Sequence, residues 1–270
     1  MSIADKLSTI AENEQKVFDA GKQEEYDRFW DAFQANGNRV YYANAFSNAS
    51  YSNKNLIYAN WTADTFKPKY PIKPIGANDY PMFAYISIPN FKQHCETYGI
   101  VIDCSEMPSL INAFRCLKTA YIPDINASKA TKIRSCFYEC TGLLEAPYIY
   151  NGELITDYNA CYYACDKLVK IPIIWAVAEP VTNAYANAFG LIKLEEIGEI
   201  KGSIRENISF GYSSKLTIET LRKILTALSK TTSGKALTLN TASKAKIEAD
   251  SNCSEQVALA VSAGWTIAYA

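Results

Sequence analysis

The feature that most constrains this chain is an internal repeat. With Phe114, Phe137, Tyr162 and Phe189 set in one column, the residue four before each is large: Leu110, Ile133, Tyr158 and Tyr185. Each copy closes on an apolar residue, then Pro or Gly, one residue, and Ile: Ile122-Pro123-Asp124-Ile125, Ala146-Pro147-Tyr148-Ile149, Ile171-Pro172-Ile173-Ile174 and Ile197-Gly198-Glu199-Ile200. The column residues stand 23, 25 and 27 positions apart. A fifth, degenerate copy follows at Phe210, with Leu216 six residues on, where Leu143 and Leu168 sit six after their own aromatics.

Repeats of this length cannot bury an apolar face singly, so copies must stack. Periods in the twenties are the length class of leucine-rich repeats, with one strand and one helical or turn segment per coil. The expected fold class is therefore α/β, a leucine-rich-repeat solenoid. The column aromatic and the residue four before it are expected on one face of a helical turn. The Ile-Pro-x-Ile closure is expected to be the extended side, with Pro fixing φ at a strand edge or bend.

The repeat also bears on the eight cysteines. Cys136/Cys140 and Cys161/Cys165 share a four-residue offset that could suggest zinc, but each pair flanks a column aromatic at the same two positions. Free cysteine packs as a small buried hydrophobe, so these are read as inward positions rather than ligands or disulfides. No metal or cofactor is expected.

An aromatic followed by x-x-Cys-x-x-Leu-x-x-Ile-Pro, best seen in CFYECTGLLEAP (136–147) and CYYACDKLVKIP (161–172), resembles the BspA-like class of bacterial leucine-rich repeats. The resemblance covers about residues 100–216. The flanks are similar to relatives of this class carried by phages and prophages of gut bacteria. It implies a right-handed solenoid used for surface recognition, with a place on a phage virion as tail or decoration component, and it implies no enzyme.

Four segments follow: a helical segment over 1–36, divergent coils and a Pro-rich loop over 37–100, repeats over 101–215, and an α/β cap over 216–270. In the first, Ile3, Leu7, Ile10 and Val17 form a heptad stripe interrupted by Glu14, a candidate coiled-coil or docking surface through residues 1–20. Tyr26, Phe29, Trp30 and Phe33 form a second stripe turned away from the first, so a bend is expected near Gly21. In the second, FKPKYPIKPIG reads as an irregular extended loop. Asn44-Ala45-Phe46 and Ile88-Pro89-Asn90-Phe91 imitate repeat motifs. In the cap, Thr217 is expected to N-cap a helix striped by Leu221, Ile224, Leu225 and Leu228. A strand at Leu237 and Leu239, a helix from Ile247 to Val261 and a last strand at 266–268 follow.

No apolar run is long enough for a membrane span, and the N-terminus lacks the pattern of a signal peptide, so synthesis in the cytoplasm is expected. A net charge of −1 hides an acidic N-terminal end and a basic stretch, net +5 over residues 201–235. Without interleaved aromatics that stretch does not point to nucleic acid. One histidine, His94, leaves little acid–base chemistry, and its neighbour Cys95 reads as a partly exposed structural partner. The expected function is a non-catalytic adhesion module for a protein or glycan receptor. Tyr148, Tyr150 and Trp175, flanking the strand motifs, are the candidate contacts, with coverage of the core as their alternative role. The second expectation is an assembly protein docked, or paired with a copy of itself, through residues 1–20.

Overall fold

The computed structural model describes residues 87–176 and 181–270, with isolated positions 24, 39, 40, 63, 66, 72–74, 83 and 179. The heptad residues Ile3, Leu7, Ile10 and Val17, the second stripe and Asn44-Ala45-Phe46 lie outside the described residues.

Successive repeats lie side by side in parallel. The short strands β1 (Arg39–Val40) and β2 (Lys73–Pro74) pair with each other, as do β3 (Ile125–Asn126) and β4 (Ile149–Tyr150), and β5 (Lys170–Ala176) and β6 (Glu196–Gly202). Ile125 faces Ile149 and Ile174 faces Ile200, so the closing isoleucines of neighbouring copies are in register. A second ladder runs through Tyr121, Glu145, Lys170 and Glu196, each bridged to the next.

The opposite side is built from tight turns, which differs from the helical turn expected there. In an α-helix every interior N–H returns to a carbonyl four residues back, leaving none to share. Here alternate N–H groups leave the repeat: those of Leu110, Asn112, Phe114 and Cys116 donate to the carbonyls of Lys132, Arg134, Cys136 and Tyr138 at 2.9–3.1 Å. Ile133, Ser135, Phe137 and Glu139 do the same to Asp157, Asn159, Cys161 and Tyr163, and Tyr158, Ala160, Tyr162 and Ala164 to Ala184, Ala186, Ala188 and Gly190. The intervening N–H groups close i→i−3 turns, as Ala113 does on Leu110. This alternation requires left-handed backbone at every fourth residue, and positive φ occurs at Asn112 and Cys116, Ser135 and Glu139, Ala160 and Ala164, and Asn183, Asn187 and Leu191. Each costs on the order of 1 kcal/mol, offset by a backbone hydrogen bond into the next repeat. Residues four apart still share a face, through this turn geometry rather than a helix.

Six rings stack along the interior: Phe83, Phe114, Phe137, Tyr162, Phe189 and Phe210, with centroid separations of 5.0, 5.8, 5.2, 6.2 and 4.7 Å. Phe83, absent from the sequence-derived column, extends it by one ring. All eight cysteines are free and seven are buried. The thiols of Cys140 and Cys165 donate to the carbonyls of Phe114 and Phe137, the column residues of the preceding copy, at 3.0 and 2.9 Å. Burial pushes the Cys136, Cys140 and Cys161 thiols well up, against ionisation and metal binding.

Four expectations are corrected at the flanks. Within the Pro-rich run, Lys73 and Pro74 form strand β2, and Ile72 bridges Ile102. Ile88-Pro89-Asn90-Phe91 is no extended closure: Asn90 caps helix α1 (Phe91–Tyr98) by accepting from Gln93 N–H. His94 and Cys95 are both buried rather than partly exposed, and His94 Nε2–H donates to Phe66 O at 2.5 Å. In the C-terminal part, the helix expected from Ile247 onward is two helices, α3 (Ala242–Glu248) and α4 (Ser251–Ser262), separated by Asp250, which caps α4 through Cys253 N–H. Asp250 also takes the Arg222 guanidinium, which holds its carboxyl well below the usual carboxylate range.

Helix α2 (Ile218–Ala227) precedes them, capped by Thr217, with Leu221, Ile224 and Leu225 buried. β7 (Ile208–Phe210), β8 (Ala236–Leu239) and β9 (Thr266–Tyr269) form one parallel sheet at offsets of 29 and 30 residues, with the helices as crossovers.

Replacing a central ring should be severe: Phe137→Ala is expected to cost about 3–5 kcal/mol in urea unfolding. Tyr138→Ala, one residue on and half-buried, should cost clearly less. With native protein at neutral pH, a thiol reagent should modify half-exposed Cys116 first, and Cys116→Ser should remove the fast phase.

Candidate ligand-binding groove

Side chains two apart in extended backbone point the same way, and this places Tyr148, just before β4, together with Tyr150 on it. Their rings lie 4.7 Å apart at 48°, with Tyr148 half-buried against the core and Tyr150 47% exposed. Tyr121 enters from the neighbouring ladder, where it bridges Glu145. The three tyrosines belong to two consecutive copies, and Tyr121 and Tyr148 line one cavity because the copies stack in register.

Beside them opens a cavity of about 350 Å³ lined by Lys92, Tyr121, Ile122, Asp124, Glu145, Ala146, Tyr148 and Pro172. A smaller hollow of about 200 Å³ adjoins it and shares Lys92 and Tyr121. Asp124 organises one wall: its Oδ1 accepts from Lys92 Nζ at 3.0 Å and from the Tyr148 backbone N–H at 3.1 Å. Glu145 Oε1 faces Lys170 Nζ at 3.1 Å on the other. Each carboxylate of the lining is thus paired with a lysine, Asp124 with Lys92 inside it and Glu145 with Lys170 just outside it. Apolar surface from Ile122, Ala146 and Pro172 completes the lining.

Trp175 does not belong to this surface. It is 8% exposed, its Nε1–H donates to Ile149 O at 2.9 Å, and Lys201 Nζ sits 4.7 Å from its ring centre. The indole also fills the space above Gly152, where an added Cβ would lie 2.3 Å from Trp175 Cδ1. It covers the core between copies, which corrects its candidacy as a contact residue. Tyr148 and Tyr150 are brought together; Trp175 is taken inward.

Lys92, Tyr121, Asp124 and Glu145 were not singled out from sequence. Asp124 was legible in principle, since it occupies the position of Tyr148 in the preceding closure motif, and Tyr121 stands four positions before Ile125 as Glu145 stands four before Ile149. Lys92 carried no such signal, because it lies on α1, outside the repeat.

Two other surface features lie apart from this groove. A shallow groove of about 440 Å³ runs between β6 and α2, lined by Gly198, Glu199, Glu219, Arg222 and Lys223. Its charges are engaged with one another, with Lys201 and with Asp250. On the turn side, Arg115 lies 4.5 Å from the Tyr138 ring centre and Tyr138 stacks on Tyr163 at 5.2 Å, a half-buried ladder that ends against Gly190. Among the described residues no group of three or more His, Cys, Asp or Glu is placed to hold a metal ion, and no helix is long and apolar enough to cross a membrane.

Comparison of the chain with protein-family models, with curated proteins and with solved structures finds no match.

The Gly152 contact is testable. Gly152→Ala should displace the Trp175 indole, red-shift tryptophan emission and cost about 1–3 kcal/mol by overpacking, measured by fluorescence-monitored unfolding.

Proposed function

We propose that this chain is a non-catalytic recognition module, a BspA-like leucine-rich-repeat solenoid that contacts a receptor through the groove at Tyr121, Tyr148 and Tyr150. The carrying observation is the groove itself: a cavity of about 350 Å³ flanked by a tyrosine pair, with its polar groups held in place by their own ion pairs. Tyrosine supplies large contact area at low entropic cost, and fixed polar neighbours reduce what ordering costs on binding. The internal ring stack, with one ring per copy, and the thiol–carbonyl contacts of the two copies that carry Cys140 and Cys165 support the solenoid reading, because both fall at the positions the sequence motif defines. The proposed location is exposed to the outside, on a phage tail, a virion decoration or a cell surface.

The assembly reading, docking through residues 1–20, draws on residues outside those described and is not favoured by any described contact. The recognition reading is tested by binding of the fluorescently labelled full chain to intact gut bacterial cells and to intestinal mucus. Saturable binding is expected, weakened at least tenfold in the Tyr148→Ala/Tyr150→Ala double variant. A chain that binds neither surface, or a folded double variant that binds as well as the parent, overturns it.

A further inference from the structure

Resting on that reading of the groove, we infer that its ligand is a neutral pyranose sugar, bound as a disaccharide or as the end of a longer glycan. Four properties converge on this class.

The first is size. About 350 Å³ is near the lower end of the roughly 300–1,000 Å³ common for ligand pockets, which suits a compact unit rather than a folded protein element.

The second is charge. Lys92 with Asp124, and Glu145 with Lys170, are already paired, so a charged ligand gains an ionic partner only by displacing an existing one. A neutral ligand leaves both pairs intact.

The third is the character of the unused polar atoms. Both contacts to Asp124 fall on Oδ1, and the lysine contact to Glu145 falls on Oε1. Asp124 Oδ2 and Glu145 Oε2 have no partner among the described residues. They are strong acceptors and call for uncharged donors, which sugar hydroxyls supply; a hydroxyl oxygen can in turn accept from the remaining N–H bonds of the Lys92 ammonium.

The fourth is the flat apolar surface beside these acceptors. A pyranose has hydroxyls around its edge and C–H bonds on its faces. Tyr121 and Tyr148 can take such a face while the carboxylates take the edge. Tyr150, 4.7 Å beyond Tyr148 and exposed, offers a platform for the next ring.

An extended peptide fits less well. Strand addition needs a free backbone edge, and between β3 and β4 the backbone is already committed: Ile125 N–H donates to Tyr148 O and Ala127 N–H to Tyr150 O, both at 2.9 Å.

The experiment is saturation-transfer NMR and titration of the full chain with maltose, cellobiose, lactose and N,N′-diacetylchitobiose, with 3′-sialyllactose as the charged counterpart of lactose. At least one neutral disaccharide should bind saturably in the millimolar range or tighter. Its affinity should fall at least tenfold in Tyr148→Ala and about threefold in Glu145→Gln, while Tyr148→Phe, which keeps the ring, stays near the parent. Should Tyr148→Ala fail to fold, exposed Tyr150→Ala replaces it, with a loss of about threefold or more expected.

The inference is overturned if none of the four binds or if binding is indifferent to both tyrosines. It is equally overturned if 3′-sialyllactose binds tenfold more tightly than lactose, or if free monosaccharides appear during the titration. Absent sugar binding together with tyrosine-dependent cell binding would leave the recognition reading standing and remove only the sugar.

Discussion

The structure depends on backbone N–H groups that each repeat gives to the next. On the turn side, four N–H groups from each of three successive copies cross to carbonyls of the following copy, and this becomes possible only because left-handed residues recur at every fourth position. The geometry costs backbone strain at residues such as Glu139 and Leu191, which have no intrinsic preference for it. The return is that no repeat is satisfied alone. Hydrogen bonding and ring stacking run along the same axis, so interfaces between copies carry stability that compact domains place in a single core.

The groove follows from the same registration. Tyr121 and Asp124 belong to one copy and Glu145 and Tyr148 to the next, and the Tyr121–Glu145 bridge with the Tyr148 N–H to Asp124 contact sets their spacing. The site is thus carried by an interface between repeats rather than by a mobile loop. Lys92, from the helix ahead of the regular copies, closes one end through its pair with Asp124. Such placement pre-orders the polar groups before any ligand arrives.

Much of this was legible in the sequence wherever a residue's role repeats. The ring column, the residues four before it, the buried cysteines and the registered isoleucines follow from alignment of the copies with themselves. The turn backbone was not legible, because i and i+4 proximity is common to a helix and to this chain of tight turns, and only hydrogen-bond direction separates them. Trp175 and Tyr150 occupy corresponding positions in adjacent copies, yet one is buried and the other exposed. The difference lies in Gly152, whose missing side chain leaves room for an indole, and in Lys201, which covers it. Neither relation is local in sequence. Helices α3 and α4 were read as one because the apolar pattern continues past Asp250, whose capping role emerges only with its N–H donor in place.

The unequal step between copies sets a limit on how such a chain can evolve. Facing residues are 34 positions apart at β1–β2, 30 at the Ile72–Ile102 bridge, 24 at β3–β4, 26 at β5–β6, 29 at β7–β8 and 30 at β8–β9. Arrays of identical units gain and lose members by recombination, because any junction resembles any other. In this chain a unit excised from the middle would bring together interfaces of different arc length, with rings, thiols and turn donors out of step. The number of copies is therefore locked, and surface variation must come by single substitutions rather than by shuffling of repeats.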